Sequence, residues 1–210
     1  MNVLPCGDQA FLVEAGDTAT VLGLYAALAD PRPDGVTDLV PAAETLLVRF
    51  DPARIDPGAL VQRIARTEPA TEAGTAGTRG GELVTIPVVY DGQDLADVAE
   101  RTGLAIRDVI SVHTAAEYTV AFAGFAPGFG YLTGLDPRLR LPRLETSRTR
   151  VPAGSVAIAG DYSGVYPRTS PGGWRLLGRT GIALWDTGRT VPALLRPGVR
   201  VRFTAVAGEA

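Results

Sequence analysis

The stretch VPAGSVAIAGDYSGVYPRTSPGGWRLLGRT, residues 151–180, carries most of what this sequence indicates about fold and function. It mixes short apolar runs with glycines and arginines, and it contains Pro-Gly-Gly-Trp at residues 171–174. A second glycine-rich run, AGFAPGFGYL, lies upstream at residues 123–132. Glycine permits positive φ angles and close approach of the backbone to another group. The two runs therefore predict the walls of a binding site, and the alternative is that they form hairpin turns of a barrel.

Short apolar runs separated by turn residues surround these two segments. YTVAF at residues 118–122 begins the series, which continues with SVAIAG, WRLLGRT, IALWDT, ALLRPG and VRVRFTAV. Strands at this spacing, with no further helix, predict a closed or nearly closed β-barrel. Two short helices are predicted just before the barrel, at residues 94–101 and 106–115.

The first part of the chain follows a different pattern. Hydrophobic periodicity and capping residues predict the order βαββαβ, with elements at residues 9–14, 18–30, 35–40, 45–50, 56–66 and 83–90. This is the ferredoxin-like plan, in which helices cover one face of a four-stranded sheet. Pro87 predicts an edge position or a bulge for the last strand, which could belong to either domain. We therefore predict an α+β protein with domains at residues 1–82 and 83–210, and a flexible loop at residues 67–81.

Composition excludes several classes of function. The chain of 210 residues has one cysteine, Cys6, so it forms no internal disulfide, and a cytoplasmic location is expected. It lacks lysine altogether, so it cannot itself carry biotin, form a lysine Schiff base or supply a P-loop lysine. No apolar run reaches the roughly 20 residues that span a bilayer. We expect no metal site and no membrane association.

Charge is distributed unevenly along the chain. Residues 1–137 hold 8 arginines and 19 acidic residues, whereas residues 138–202 hold 12 arginines and 3 acidic residues. A basic lobe in an acidic protein predicts an anionic ligand or an acidic partner surface. Nucleic acid is disfavoured because the arginines are scattered through turns and no nucleic-acid-binding motif accompanies them.

Several motifs occur together in one order along the sequence. They are GDQAFLVE, VPAAETLLVRFDP, His113 followed by Tyr118-Thr-Val, GFAPGFGYL, Pro142-Arg143, VPAGSVAIAG, YPRTSPGGW and Gly178-Arg179-Thr180. With them the chain resembles, nearly end to end, the KipI family, also called allophanate hydrolase subunit 1 or the 5-oxoprolinase B subunit. It departs from the family pattern at Gln93-Asp94, at residues 145–147 and at Val199.

The resemblance implies a ferredoxin-like N-terminal domain and a cyclophilin-like β-barrel. It implies a KipA-type second subunit and a third, lactam-hydrolase subunit, which together cleave 5-oxoproline to glutamate using ATP. Fused relatives form the carboxyltransferase part of urea carboxylase, and another relative inhibits a histidine kinase. Since no nucleotide-binding loop is evident, we expect ATP to be bound with or by a partner, and this chain to be inactive alone.

Two residues are predicted to be catalytic. His113 is the only histidine, and histidine alone has an unperturbed pKa suited to proton transfer near pH 7. A core or surface histidine is the alternative. The guanidinium of Arg148, with those of Arg150 and Arg168 as substrate-binding groups, would bind a carboxylate or phosphate. As solvated turn residues, the same arginines would need no such role.

The remaining predicted substrate-binding residues come from the two glycine-rich runs. Gly172, Gly173 and Trp174 offer successive backbone N–H groups that could form an anion nest, or a hairpin turn with the indole in the core. Ser170 is either a reactive hydroxyl or an ordinary turn residue. Tyr131 either lines the site or packs in the core.

Overall fold

The chain divides into two compact units, Met1–Arg79 and Gly80–Ala210. The computed structural model describes residues 1–70 and 82–208. Most of the flexible loop predicted at residues 67–81 therefore lies outside the described residues. Its first four residues, 67–70, follow a helix and form neither helix nor strand.

The first unit is a four-stranded antiparallel sheet with two helices. Its elements are β1 (Asn2–Pro5), β2 (Ala10–Glu14), α1 (Thr18–Ala29), β3 (Val36–Pro41), β4 (Thr45–Phe50) and α2 (Pro57–Arg66). The strand order is β1-β2-β4-β3. The Asp17 and Asp56 carboxylates cap α1 and α2 by accepting backbone N–H bonds, as the sequence indicated.

The core of this unit lies between the sheet and the helices. Alternate residues of the strands, such as Phe11 and Val13, face the helices, which contribute Leu24, Leu60 and Ile64. This alternation matches the period of two in a strand, and it places one apolar face of the sheet against both helices.

The predicted ferredoxin-like order is correct for five of its six elements. The sixth, β5 (Leu83–Val88), belongs to the second unit, where it pairs in parallel with the last strand over six residues. Its place in the first sheet is taken by β1, which the sequence analysis missed. A turn through Gly7, with φ of 73°, brings β1 back along β2. Val84, Ile86 and Val88 instead enter the second core.

The second unit is dominated by a seven-stranded sheet that nearly closes on itself. Its elements after β5 are α3 (Leu95–Thr102), α4 (Ile106–Ala115), β6 (Tyr118–Ala123), β7 (Gly130–Thr133), a 3₁₀ turn (Pro137–Leu139), β8 (Arg148–Val151), β9 (Ser155–Ala159), β10 (Tyr162–Val165), β11 (Ser170–Gly172), β12 (Arg175–Arg179) and β13 (Arg200–Ala205). The sheet order is β12-β9-β10-β7-β6-β13-β5. A bridge between Val89 and Arg179 joins its two ends.

The α+β class and the barrel are thus confirmed, and both predicted helices before the barrel are present. Pro87 lies in the strand at the end of the sheet order, as expected for a residue without an N–H. The strands predicted at IALWDT and ALLRPG are wrong. These segments form a long connection in which Trp185 and Ala193 make a single bridge. The position beside β6 in the sheet is occupied by β13 instead.

The strands β8 and β11 pair antiparallel as a separate two-stranded sheet, called here the β8–β11 pair, which completes the unit. Among the described residues, no helix is both long and apolar enough to cross a membrane.

Candidate functional site

One face of the barrel sheet carries a cluster of aromatic side chains. The Phe129 ring packs edge to face against Tyr131, Tyr166 and Trp174, with centroids 5.1 to 5.5 Å apart. These rings rest on Gly164 of β10, where a Cβ atom would lie 3.0 Å from the Trp174 ring. A glycine is required here because any larger residue would push the indole away from the sheet.

The run at residues 123–132 forms the loop between β6 and β7 at this cluster. Phe125 is its exposed tip: 57% of the residue is accessible, and its φ of 64° is rare for an aromatic residue. The strained backbone is held by a bond from Ala126 N–H to Gly124 O at 2.7 Å. The Phe125 ring contacts Phe129 and Tyr166, at 5.3 and 5.9 Å. Exposed apolar surface held in a strained conformation is typical of a binding surface.

The Tyr166 hydroxyl lies at the centre of the polar part of this region. Burial raises the pKa of Tyr166, while the nearby Trp174 backbone N–H and the guanidinium groups of Arg143 and Arg148 act to lower it. The hydroxyl is therefore protonated at neutral pH. Tyr166 is only 2% exposed, so the hydroxyl lies beneath the surface.

Arg148, the predicted catalytic arginine, is held inside the structure. Its Nη2 is 2.5 Å from Oδ1 of Asp94, and its Nη1 donates to the Trp174 carbonyl at 3.2 Å. The Gln93 amide, with its oxygen toward the guanidinium, accepts from Nη2 at 2.8 Å. The Arg148 and Asp94 side chains are only 21% and 10% exposed. The charge of Arg148 is therefore largely neutralised, and the residue fixes β8 to the start of α3.

The predicted nest at residues 172–174 is present as a turn packed under Tyr166. Gly172 pairs with Arg148 across the β8–β11 pair, and a Cβ atom at Gly172 would overlap the Tyr166 hydroxyl. The Gly173 carbonyl accepts from Leu144 N–H at 2.8 Å. Trp174 is only 4% exposed, so the three amides do not form one open set of donors. A substrate-binding role for Gly172, Gly173 and Trp174 stays a prediction.

Arg150 and Arg168 are exposed, and neither makes an ion pair with a carboxylate of the described residues. Ser170 pairs with Val151, and its hydroxyl makes only a long bond to the Arg168 carbonyl, at 3.4 Å. Tyr131 packs against Phe122 and Trp174 at the edge of the aromatic cluster. The structure thus brings Tyr131 and Trp174 of the two glycine-rich runs into contact, and it places Gly172 against Tyr166.

His113 lies apart from this group. It is fully buried; its Nδ1 is 2.7 Å from the Tyr90 hydroxyl and its Nε2 is 3.1 Å from Oγ of Ser163. Burial lowers the pKa of His113 to about 3, so the ring is neutral near pH 7. Ser163 precedes Gly164 on β10, and successive side chains of a strand point to opposite faces. The histidine and the aromatic cluster therefore lie on opposite faces of one strand, and a catalytic role for His113 remains a prediction.

Four residues important to this geometry were not singled out from the sequence. Tyr166 and Arg143 lie within motifs that were recognised as wholes, and Phe125 lies in the first glycine-rich run. Asp94 gave no signal, because a carboxylate that pairs with an arginine 54 residues away has no local pattern. A groove of about 510 Å³ beside α4, lined by Asp108, Ser111 and Asp136 among others, holds none of the predicted site residues.

The fold of this chain is shared with known relatives. The family described as carboxyltransferase domain, subdomain C and D, matches residues 1–195, and the chain belongs to this family. It is 46% identical to the 5-oxoprolinase B subunit of Escherichia coli O157:H7 over 68% of this chain and 66% of that protein. Over 97% of both chains it is 36% identical to the 5-oxoprolinase B subunit of Haemophilus influenzae.

Solved structures support the fold. The TTHA0988 crystal structure superposes with a TM-score of 0.76 at 40% identity, covering 96% of this chain and 40% of that one. This chain therefore spans less than half of TTHA0988. The Kluyveromyces lactis urea carboxylase has a TM-score of 0.69 at 21% identity and covers 98% of this chain and 22% of that one, which shows the fold alone. Urea amidolyase of Saccharomyces cerevisiae is 25% identical over 97% of this chain and 13% of that protein.

Proposed function

We propose that this chain is the B subunit of an ATP-dependent 5-oxoprolinase, which opens the lactam of 5-oxoproline to give glutamate. It acts with a KipA-type second subunit and a lactam-hydrolase subunit, and it is inactive alone. The observation that carries the proposal is its 36% identity, over 97% of both chains, to a 5-oxoprolinase B subunit. The geometry of the aromatic and arginine-rich face is consistent with it.

The chemistry of such a reaction requires stabilisation of negative charge on oxygen. The lactam oxygen takes the γ-phosphoryl group of ATP, ADP leaves, and negative charge builds on its leaving oxygen. Water then attacks the ring carbon, charge builds on the oxygens bound to that carbon, and the C–N bond opens to give an acyl phosphate. A second water hydrolyses the acyl phosphate to glutamate and phosphate. Fixed hydrogen-bond donors in a partly dry site stabilise that charge, each by about 3 kcal/mol. The donors that this face exposes are the guanidinium groups of Arg150 and Arg168, whereas Tyr166 is only 2% exposed and supports the surface from below.

Arg148 serves in this proposal as the group that positions the β8–β11 pair. Its bonds to Asp94 and to the Trp174 carbonyl hold β8 next to Tyr166. The exposed guanidinium groups of Arg150 and Arg168 are free to bind an anionic group of a ligand. The absence of lysine is consistent with ATP being handled without a P-loop.

Co-expression with the products of the adjacent genes tests the proposal. The purified complex should release ADP when 5-oxoproline is added, and it should not do so with urea. The single chain should show no 5-oxoproline-dependent ATP hydrolysis. Turnover by the single chain would contradict its dependence on partners, and a complex that ignores 5-oxoproline would contradict the proposed substrate.

A second candidate is a carboxyltransferase component of a urea carboxylase system. It is favoured by the similarity to urea amidolyase over almost the whole chain, although at 25% identity. Biotin would have to come from another chain, because this one has no lysine. Urea-dependent consumption of carboxybiotin by the same complex would support this candidate over the first.

A further inference from the structure

The groove beside α4, called here the α4 groove, has a volume of about 510 Å³. One wall is a single face of the helix, formed by Asp108, Ser111, Val112 and Ala115, which lie at helical spacing. The 3₁₀ turn supplies Arg138 to the same groove. Ligand pockets usually enclose about 300 to 1,000 Å³, so the groove is large enough for a small molecule.

The 3₁₀ turn brings a fixed guanidinium group to the α4 groove. Asp136 precedes the turn, and its carboxylate accepts hydrogen bonds from the backbone N–H and Nε of Arg138, both at 2.9 Å, and from Nη2 at 2.7 Å. The same hydrogen bonds from Arg138 lower the pKa of Asp136 to about 2. They leave Nη1 of Arg138 without a partner among the described residues, so its N–H groups are available to a ligand.

The helix offers the opposite charge. The Asp108 carboxylate makes one ion pair, at 3.5 Å, with its neighbour Arg107, whose side chain is 89% exposed. A solvated pair of this kind is weak, so the Asp108 oxygens are available to a ligand as well. Ser111 is exposed in the same groove, three residues along the helix from Asp108. Its hydroxyl adds a neutral donor and acceptor.

A ligand that matches both walls of the α4 groove carries both charges. A dianion would meet like charge at Asp108 and Asp136, and a diamine would meet like charge at Arg138. The side chains of Leu104 and Val112 give the groove apolar surface for a short aliphatic chain. An ammonium group, an aliphatic chain and a carboxylate are together the chemistry of a free, open-chain amino acid.

We propose that the α4 groove binds glutamate, the product of the proposed reaction, at a site separate from the aromatic face. The ammonium group of glutamate binds Asp108 and Ser111, and a carboxylate binds Nη1 of Arg138. Opening of a lactam turns an uncharged ring nitrogen into an aliphatic amine, which is protonated at neutral pH. The Asp108 carboxylate therefore distinguishes glutamate from 5-oxoproline. The choice of glutamate among amino acids rests on the proposed function.

Calorimetric titration of the full purified chain with L-glutamate tests the inference without turnover. We expect saturable binding. Glutarate has both carboxylates of glutamate but no ammonium group, so it should bind about tenfold more weakly. Asp108→Asn should weaken glutamate binding by about tenfold, as expected for loss of a charge-assisted hydrogen bond, and should remove the preference over glutarate. Arg138→Gln should weaken the binding of both ligands.

Two further variants separate the site from general effects of charge. Asp8→Asn is the matched control, because it removes the same charge from an exposed aspartate of the first unit, and it should leave the affinity unchanged. Ala115→Leu adds three carbon atoms to the wall of the groove without changing its charge, and it should abolish binding by filling the space. Thermal unfolding of each variant verifies that the fold is retained.

Absence of saturable glutamate binding would overturn the inference, and so would equal affinity for glutarate or an equal loss in Asp8→Asn. Undiminished binding by Ala115→Leu would place glutamate elsewhere on the chain and refute the groove as its site. A complex that hydrolyses ATP with 5-oxoproline while this chain binds no glutamate would leave the proposed function standing and refute this inference alone. Glutamate binding that depends on Asp108, in a chain whose complex ignores 5-oxoproline, would support the site and contradict the proposed function.

Discussion

Asp94 and Arg148 form a nearly buried ion pair that ties the start of α3 to the β8–β11 pair beneath the aromatic face. One carboxylate oxygen of Asp94 lies 2.5 Å from the guanidinium, and the other accepts the Leu176 N–H at 2.7 Å. Asp94 occupies the N-cap position of α3, yet its side chain makes no capping bond there. The carboxylate is thus committed to the tertiary contact instead of to its own helix.

Removal of this carboxylate should destabilise the second unit strongly. Asp94→Ala leaves Arg148 and the Leu176 N–H without their partner, and breaking a buried pair in this way costs about 3 kcal/mol. Urea unfolding of the isolated chain measures the change. Arg107→Ala, at an exposed arginine, should change the unfolding free energy by less than about 0.5 kcal/mol. Equal stability of Asp94→Ala and the wild type would show that the Asp94–Arg148 ion pair does not hold β8 and β11 in place.

The stability of the protein should fall between pH 6.5 and 5 because of His113. Its pKa in the folded state is about 3, against 6.5 for an unperturbed histidine. Below pH 6.5 the unfolded chain binds a proton that the folded chain refuses, so unfolding becomes easier as pH falls. Above pH 6.5 the histidine is neutral in both states, so the free energy of unfolding has its full value. Below pH 6.5 this free energy falls by an amount that approaches about 1.4 kcal/mol per pH unit.

His113→Gln should flatten this pH dependence, because no other histidine exists in the sequence. Urea titrations of both proteins at about pH 7, 6 and 5, which bracket the unperturbed histidine pKa, provide the comparison. An unchanged slope in the variant would show that His113 takes up its proton while folded, and it would restore the prediction that this residue transfers protons in catalysis.

Tyr166→Phe should lower turnover of the assembled complex, because the buried Tyr166 supports Gly172 and the β8–β11 pair from below. It should also cost about 1 kcal/mol in stability, because the polar contacts of a buried hydroxyl are lost. Release of ADP and thermal unfolding report the two effects. Tyr25→Phe, on α1, is the control for a hydroxyl outside the proposed site. Loss of stability with full turnover would assign Tyr166 a purely structural role.

Substitution of Gly172 should disturb the site through Tyr166. A Cβ atom at Gly172 overlaps the Tyr166 hydroxyl and lies 2.9 Å from its ring, so Gly172→Ala must displace the tyrosine. Overpacking of this kind costs about 1 to 3 kcal/mol. At Gly181 a Cβ atom meets nothing within 4 Å, which makes Gly181→Ala the matched control. Comparable unfolding midpoints and activities for the two variants would contradict the packing described.

Local signals in the sequence were sufficient for most helices and strands. Periodicity and capping residues together predicted α1 and α2, and the apolar periodicity gave α4 at residues 106–115. The failures involve pairing at long range. β1 is short and becomes a strand only through its partner β2, whereas β5 was correctly located and the sequence had left open which domain it joins.

The candidate site shows the same division. Glycines and aromatic residues in the two runs indicated a face with close backbone approach, and Gly164 and Gly172 prove to be positions that a Cβ atom would obstruct. Which arginines are free could not be inferred, since Arg148 is neutralised by Asp94 and Arg175 by Asp97, both far away in the chain.

By itself, the sequence determined the element types, the α+β class, the family and the location of the ligand-binding candidates, because turn chemistry, periodicity and linked motifs are written locally. Only the tertiary structure decided that His113 is a neutral residue inside the core and that Arg150 and Arg168 of the basic lobe lack ion-pair partners among the described residues. The reason is physical: the charge state and accessibility of a side chain depend on groups that folding brings within a few ångströms, whatever their distance along the chain.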